Sequence, residues 1–269
     1  MSVQEAIQSA KKIVLKFGSN TLAKSDGTIN TAFLDMLSAS CAALLKSGKQ
    51  VIIVSSGAQV AGLSVINGWA HKKDKLYRQA LCSVGQVELM NKWQEAFRKQ
   101  NIQVGQLLFV KEDFEDYNHT LNMRNTLFTL VDEGVVPIIN ENDSVSFEED
   151  SIGDNDNLSA LIAILWSADL LILFSDIDGV YTDNPKTNPD AKLVEEVTDI
   201  EALKKQITIG STNSFGTGGI ATKIQAAEKV TKAGIPMLLA NSQRDKPLAS
   251  LMNGSAGGTL FLAKSNQPS

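Results

Sequence analysis

Several short polar strings in this sequence carry groups able to meet an anion or a zwitterion. Lys16-Phe-Gly-Ser-Asn20 places an ammonium beside a glycine turn, a pairing that receives phosphate, although an edge lysine next to a tight turn reads the same way. In Val54-Ser-Ser-Gly-Ala58 an apolar run meets small residues that open a helix. Backbone N–H groups and the helix dipole at such a junction would receive a carboxylate or phosphate, or the small residues would serve close packing. Gly216-Thr-Gly-Gly-Ile-Ala-Thr-Lys223 runs three glycines into a helix with a cation in its first turn, suited to cradling phosphates or to a plain loop and cap. It is not a Walker A loop, because Thr222 precedes Lys223, and Ala221 breaks a GxGxxG pattern.

Two further strings are rich in acids and carboxamides. Asn140-Glu-Asn-Asp143 and Gly153-Asp-Asn-Asp-Asn157 fall in a stretch with seven acids from Glu141 to Asp156 and no Lys or Arg. Glu148 to Asp150 read as a solvated loop. One residue among Asp154 to Asn157 is expected to cap the following apolar helix, which leaves three for other work. Carboxamides suit a zwitterion because they donate to its carboxylate and accept from its ammonium. An aspartate in this stretch would hold that ammonium or orient two lysines. Ser175 to Pro185 (SDIDGVYTDNP) has the composition of an ordered turn system, in which Tyr181 offers a flat face for a base.

The elements that must position these strings alternate strand and helix, as in an α/β protein with a largely parallel sheet. Strands are expected at Lys12–Phe17, Gln50–Val54, Val104–Val110, Val135–Ile139, Asp169–Phe174, Pro236–Ala240 and near Thr259–Leu262. Helical spacing covers Ala32–Leu45, Leu76–Phe97, Leu121–Asp132, Leu158–Trp166 and Thr222–Ala233. Ser144 to Ile152 reads as a hairpin or flexible excursion. Four of the polar strings, those at Lys16, Val54, Asn140 and Ser175, stand at or directly after the end of a strand, where open α/β sheets bind ligands.

Composition removes other classes. The chain has 269 residues, is 43% hydrophobic and carries a formal net charge of −5, which argues against disorder and against a nucleic-acid surface. No apolar run reaches the ~18 residues of a membrane helix, and the first fifteen residues lack the order of a secretion signal. Cys41 and Cys82 have no CxxC spacing, and only His71 and His119 could serve histidine chemistry. The anions this protein handles must therefore be met by a few placed cations.

In this order, VLKFGSN, VIIVSSGAQVAG, VPIINENDSV, GDNDNLSALIAIL, FSDIDGVYTDNP and FGTGGIATKIQAA resemble the amino acid kinase family, from Ile13 to about Phe261. INEND followed by GDNDNLSA is similar to the glutamate-phosphorylating branch more than to those acting on acetylglutamate, aspartate, carbamate or UMP. The resemblance implies an α/β fold, a three-layer αβα sandwich around a mainly parallel sheet. It implies one domain over 1–269, with an acceptor lobe to about 166 and a nucleotide lobe from about 167. The implied reaction is phosphorylation of the γ-carboxylate of L-glutamate by ATP with Mg²⁺, opening proline biosynthesis in the cytoplasm. Lys16, Lys223 and Asp156 would be catalytic, with Asp156 fixing the two lysines. Ser56, Gly57, Asp143 and Asn155 would hold glutamate, with Asp143 at its ammonium. Lys16, Ser175, Asp176, Thr217, Gly218, Gly219, Ile220, Ala221, Thr222 and Lys223 would hold the nucleotide. No side-chain metal site is expected, since phosphate oxygens and water would supply most magnesium ligands. Proline as feedback inhibitor, a glutamyl-phosphate reductase as partner, and a dimer or tetramer are further implications. Many members add a C-terminal PUA module, which this sequence is expected to lack.

Overall fold

The computed structural model describes residues 1–66, 74–146, 155–183, 185, 187–210 and 219–263, with backbone alone at 75 and 207–210. The strands are β1 Lys12–Phe17, β2 Gln50–Ser55, β3 Val104–Phe109, β4 Val136–Glu141, β5 Leu170–Ser175, β6 Glu196–Val197, β7 Met237–Asn241 and β8 Gly258–Phe261. In the first half of the chain the helices are α1 Val3–Ser9, α2 Ser19–Leu22, α3 Thr31–Lys46, α4 Ala58–Val65, α5 Lys75–Arg98 and α6 Tyr117–Asp132. In the second half they are α7 Asn155–Trp166, α8 Ile200–Gly210, α9 Gly219–Lys232 and α10 Pro247–Met252. The strands form one sheet in the order β3-β4-β2-β1-β5-β7-β8-β6. Every pairing is parallel except β7 with β8.

Alternation along the strands decides which layer each side chain enters. Ile13, Leu15 and Phe17 of β1, with Val51 and Ile53 of β2, join a core closed by α1, α3, α5 and α10. Val14, Ile52 and Val54 enter the opposite core, closed by α6, α7, α8 and α9. A sheet buried on both faces needs near-continuous apolar strands, which β1, β2 and β5 supply. Lys16 shares the parity of Val14, so its side chain leaves the strand on the side of α7 and α9.

Helix starts follow their caps. Asn30 accepts from the Phe33 N–H, Asp74 from those of Leu76 and Tyr77, and Asp116 from that of His119. Asp116 starts α6 one turn before the expected Leu121. The helix expected from Leu158 begins at Asn155, so Asn155, Asp156 and Asn157 form its first turn; the residues before them lie outside the described segments. Likewise α9 is helical from Gly219, before the expected Thr222, and the residues preceding it lie outside the described segments. Most of the Ser144–Ile152 excursion lies outside the described residues. The short α1, α2, β6 and α10, and all of α8, had no clear signal in the spacing.

Two glycines let α4 and α5 touch backbone to backbone. A Cβ on Gly85 would lie inside the van der Waals reach of the Ala58 carbonyl oxygen, and one on Gly62 would meet the Leu81 carbonyl. Neither neighbour is a flexible chain end that could swing away. Gly85→Ala should therefore force the helices apart and cost about 3 kcal/mol, the upper range for overpacking. A urea-unfolding midpoint unchanged from wild type would contradict this close crossing.

Candidate active site

The carboxyl edge of the sheet gathers the polar strings, since β1, β2, β4, β5 and β7 all run parallel and end there. At its centre sits Asp156, fully buried in the first turn of α7. Its Oδ1 pairs with the Lys16 ammonium from the end of β1. Its Oδ2 accepts from Lys223 Nζ at 3.0 Å and from Thr222 Oγ1 at 3.0 Å, both in the first turns of α9. Burial alone would raise this carboxyl, but the Lys16 and Lys223 charges outweigh it and hold the pKa below the usual aspartate value. The strand parity of Lys16 and the packing of α7 on α9 thus bring three residues, far apart in sequence, to one point.

Beside it opens a cleft of about 240 Å³, lined by the segments that follow β2 and β4, by the end of β4 and by residues of α2, α4, α5 and α7. Gly57 carries φ 110° at the start of α4, a conformation that favours glycine. It turns the chain so that Ser56, Gly57 and Ala58 all face the cleft. A line of carboxamides forms part of the wall. Asn155 Nδ2 donates to Ser56 Oγ at 2.7 Å and to Asn140 Oδ1 at 2.8 Å. Asn140 Nδ2 in turn donates to Gln86 Oε1 at 2.9 Å.

The cleft also holds charge. Asp143 lines it with Glu141, Cys82 and Arg78. Burial, reinforced by the Glu141 charge, lifts the Asp143 carboxyl to about 6, against the pull of Arg78 and a Cys82 hydrogen bond. The Cys82 thiol is pushed up to about 12, by burial first and by Asp143 second, so it remains a thiol at neutral pH. On the far side, Ser175 Oγ donates to Asp176 Oδ1 at 3.1 Å. The Ser242 hydroxyl donates to the Ser175 carbonyl, which leaves Thr21 to supply the hydrogen between Thr21 and Ser242. That chain ties the ends of β1, β5 and β7 together.

The structure therefore places Lys16, Asp156, Thr222 and Lys223 in one cluster, and Ser56, Gly57, Asp143 and Asn155 around one cleft beside it. Ser175 and Asp176 lie at the end of β5, and Gly219, Ile220 and Ala221 open α9 as helix, where a loop was expected. Thr217 and Gly218 lie outside the described residues. Arg78 and Gln86 were missed. Gln86 had a legible signal: Cys82, Gln86, Leu89 and Trp93 form a buried stripe at helical spacing, so a polar residue stands at a core position. Among the described residues no group of three His, Cys, Asp or Glu could hold a metal.

A family model described as the amino acid kinase family matches residues 11–241. The chain belongs to that family. A protein named glutamate 5-kinase from Alkaliphilus metalliredigens (strain QYMF) is 54% identical over 97% of this chain and 99% of its own length. Another of that name, from Treponema pallidum (strain Nichols), is 46% identical over 97% of this chain and 99% of its own. Among solved structures, carbamate kinase from Giardia lamblia bound to AMP-PNP aligns with a TM-score of 0.69 at 15% identity. It covers 95% of this chain and 99% of that one. At that identity the likeness concerns the amino acid kinase fold alone, and the eight-stranded, mostly parallel sheet agrees with it.

The raised Asp143 carboxyl has a consequence for stability. Its folded pKa of about 6 exceeds the reference value of 3.8, so between those values the folded state binds more protons than the unfolded. Stability contributed by this group must therefore fall as pH rises from about 4 to 6. Asp143→Asn removes the charge and should unfold at a higher urea concentration than wild type at pH 7, with the gain shrinking towards pH 4. Equal midpoints at both pH values would show that Asp143 is not strained by its neighbours.

Proposed function

We propose that this protein transfers the γ-phosphoryl group of ATP to the γ-carboxylate of L-glutamate, giving L-glutamyl 5-phosphate and ADP, the first step of proline biosynthesis. The observation that carries the reading is the Lys16–Asp156–Lys223 cluster set beside a cleft that offers both acid and base to a free amino acid. Glutamate would enter with its α-ammonium at Asp143 and its α-carboxylate towards Arg78. Its γ-carboxylate would lie at the end nearer Gly18 and Lys16. Residues to about 166 would form the acceptor lobe, and those from about 167 the nucleotide lobe.

The chemistry needs no general base, because a carboxylate with a reference pKa of ~4.3 is already ionised near pH 7. A γ-carboxylate oxygen forms a bond to the γ-phosphorus as the bond from that phosphorus to the β–γ bridging oxygen breaks, and ADP leaves with the electron pair. The barrier lies in bringing one anion up to another and in the charge on three phosphoryl oxygens in transit. Lys16 and Lys223 would neutralise that charge from two sides, and Asp156 would keep both ammoniums in place beforehand, so little reorganisation accompanies transfer. The side chains present fit a magnesium ion carried by the triphosphate, with phosphate oxygens and water as ligands; when bound it neutralises the β- and γ-oxygens. Ser175, Asp176 and the first turn of α9 would face the nucleotide.

Family membership supports three further parts of the proposal: feedback inhibition by proline, delivery of the labile acyl phosphate to a glutamyl-phosphate reductase, and a dimer or tetramer in the cytoplasm. No helix among the described residues is long and apolar enough to cross a membrane.

The decisive experiment measures ADP release with glutamate, N-acetylglutamate or aspartate as acceptor, with and without proline. Glutamate alone should support turnover; release with another acceptor in preference would overturn the reading. Lys223→Ala should lower kcat by roughly 10²-fold, the scale of one lost transition-state contact. Asp143→Asn should instead raise the KM for glutamate, and in wild type that KM should climb as pH falls below about 6, where Asp143 gains its proton. A wild-type KM flat from pH 7 to 5 would place the ammonium elsewhere.

A further inference from the structure

We infer that Gln86, on α5, is a positioning residue that fixes which hydrogen-bonding atoms the acceptor cleft shows its substrate. The inference rests on the proposed glutamate site and adds a residue outside it. Its starting point is a group with only one possible role: the Glu141 backbone N–H can only donate, and it donates to Asn140 Oδ1 at 2.9 Å. The amide of Asn140 is thereby oriented, and its Nδ2 must find an acceptor in a buried place. Gln86 Oε1 is that acceptor, at 2.9 Å, on a side chain only 8% exposed.

With Asn140 so held, its Oδ1 also receives Asn155 Nδ2. Asn155 has two amide hydrogens, and both are now committed, one to Asn140 and one to Ser56 Oγ. Its Oδ1 is therefore the atom left for the cleft, an acceptor suited to an ammonium. Ser56 Oγ already accepts from Asn155, so its own hydrogen is free to turn towards a carboxylate oxygen. Donor and acceptor senses thus pass from α5 across the end of the sheet, through β4 and α7, to the end of β2. A zwitterion needs both kinds of group at fixed positions. An unclamped Asn140 would let Asn155 and Ser56 exchange roles and scramble that pattern.

The test compares wild type, Gln86→Met and Gln86→Glu in full steady-state kinetics for glutamate and ATP, with melting temperatures. Methionine keeps length and helix preference but offers no comparable acceptor; glutamate keeps an oxygen acceptor. Gln86→Met should raise the KM for glutamate by about tenfold, the size of one lost buried hydrogen bond. The KM for ATP and kcat should stay within about twofold, and Gln86→Glu should restore the glutamate KM to within about threefold of wild type. An unchanged glutamate KM in Gln86→Met overturns the inference. So does a parallel loss in kcat, both KM values and melting temperature that Gln86→Glu fails to repair. If Gln86→Met does not fold, a glutamate KM raised tenfold in Gln86→Glu overturns it, and a near-wild-type value supports it. A wild type with no glutamate-dependent ADP release would instead overturn the proposed function, and this inference with it.

Discussion

Two lysine ammoniums converge on one buried carboxylate, and the neighbouring geometry follows from the need to keep that trio intact. Asp156 has no exposed surface, and Lys16 and Lys223 are nearly enclosed. An aspartate in such a place stays ionised because both lysines face it and outweigh the cost of its burial. The trio keeps one positive charge in excess. That surplus, held at the carboxyl edge of the sheet, is what a chain of net charge −5 would offer a phosphoryl group in the proposed reaction. Its position depends on strand parity: moving Lys16 by one residue would send its side chain into the core of Phe17 and Trp93, on the wrong face of the sheet.

A second constraint acts through α5. Its glycine crossing with α4 places Arg78 at the cleft and Gln86 behind it against Asn140, while Leu89, Trp93 and Phe97 anchor the same helix in the core. The indole of Trp93 donates to Ser55 Oγ at 2.9 Å, directly beside Ser56. One helix therefore supplies core packing on one flank and polar wall on another. The cleft keeps its shape because the residues behind it are packed at backbone contact, where small shifts are costly.

The strands and the long helices were legible because each signal was local. Lys12–Phe17 matches β1 residue for residue, as a buried strand must be apolar nearly throughout. Clustering of Lys16, Asp156 and Lys223 was legible from the resemblance to a known family, not from spacing, since no periodicity links positions so far apart. Helix starts lie about one turn before the expected Leu121, Leu158 and Thr222; at α6 the reason is that hydrophobic periodicity begins where the helix meets the core, whereas the Asp116 cap sits where the backbone first turns. The consequence was functional at α7 and α9. Residues expected ahead of these helices, among them Asn155, Asp156 and Ala221, stand on them, so their directions are set by rigid elements. Arg78 gave no signal, because an exposed arginine on a helix is ordinary until the fold shows what it faces.

In the proposed binding mode, the charges that would admit glutamate would also exclude its relatives. Asp143 and Glu141 both line the cleft, and the Glu141 charge adds to burial in raising the Asp143 carboxyl. An incoming α-ammonium relieves that repulsion. N-acetylglutamate brings no ammonium, so it would leave the two carboxylates facing each other and add its own negative charge beside them. Aspartate brings the ammonium but is one methylene shorter, and with its amine at Asp143 its side-chain carboxylate would fall short of Lys16. Selection by such a site requires one ion pair and one distance, and it requires that Asn155 and Ser56 present fixed atoms between the two ends. In the proposed binding mode a correctly charged ligand would relieve the burial and charge that raise the Asp143 carboxyl, so affinity and discrimination would arise from the same place.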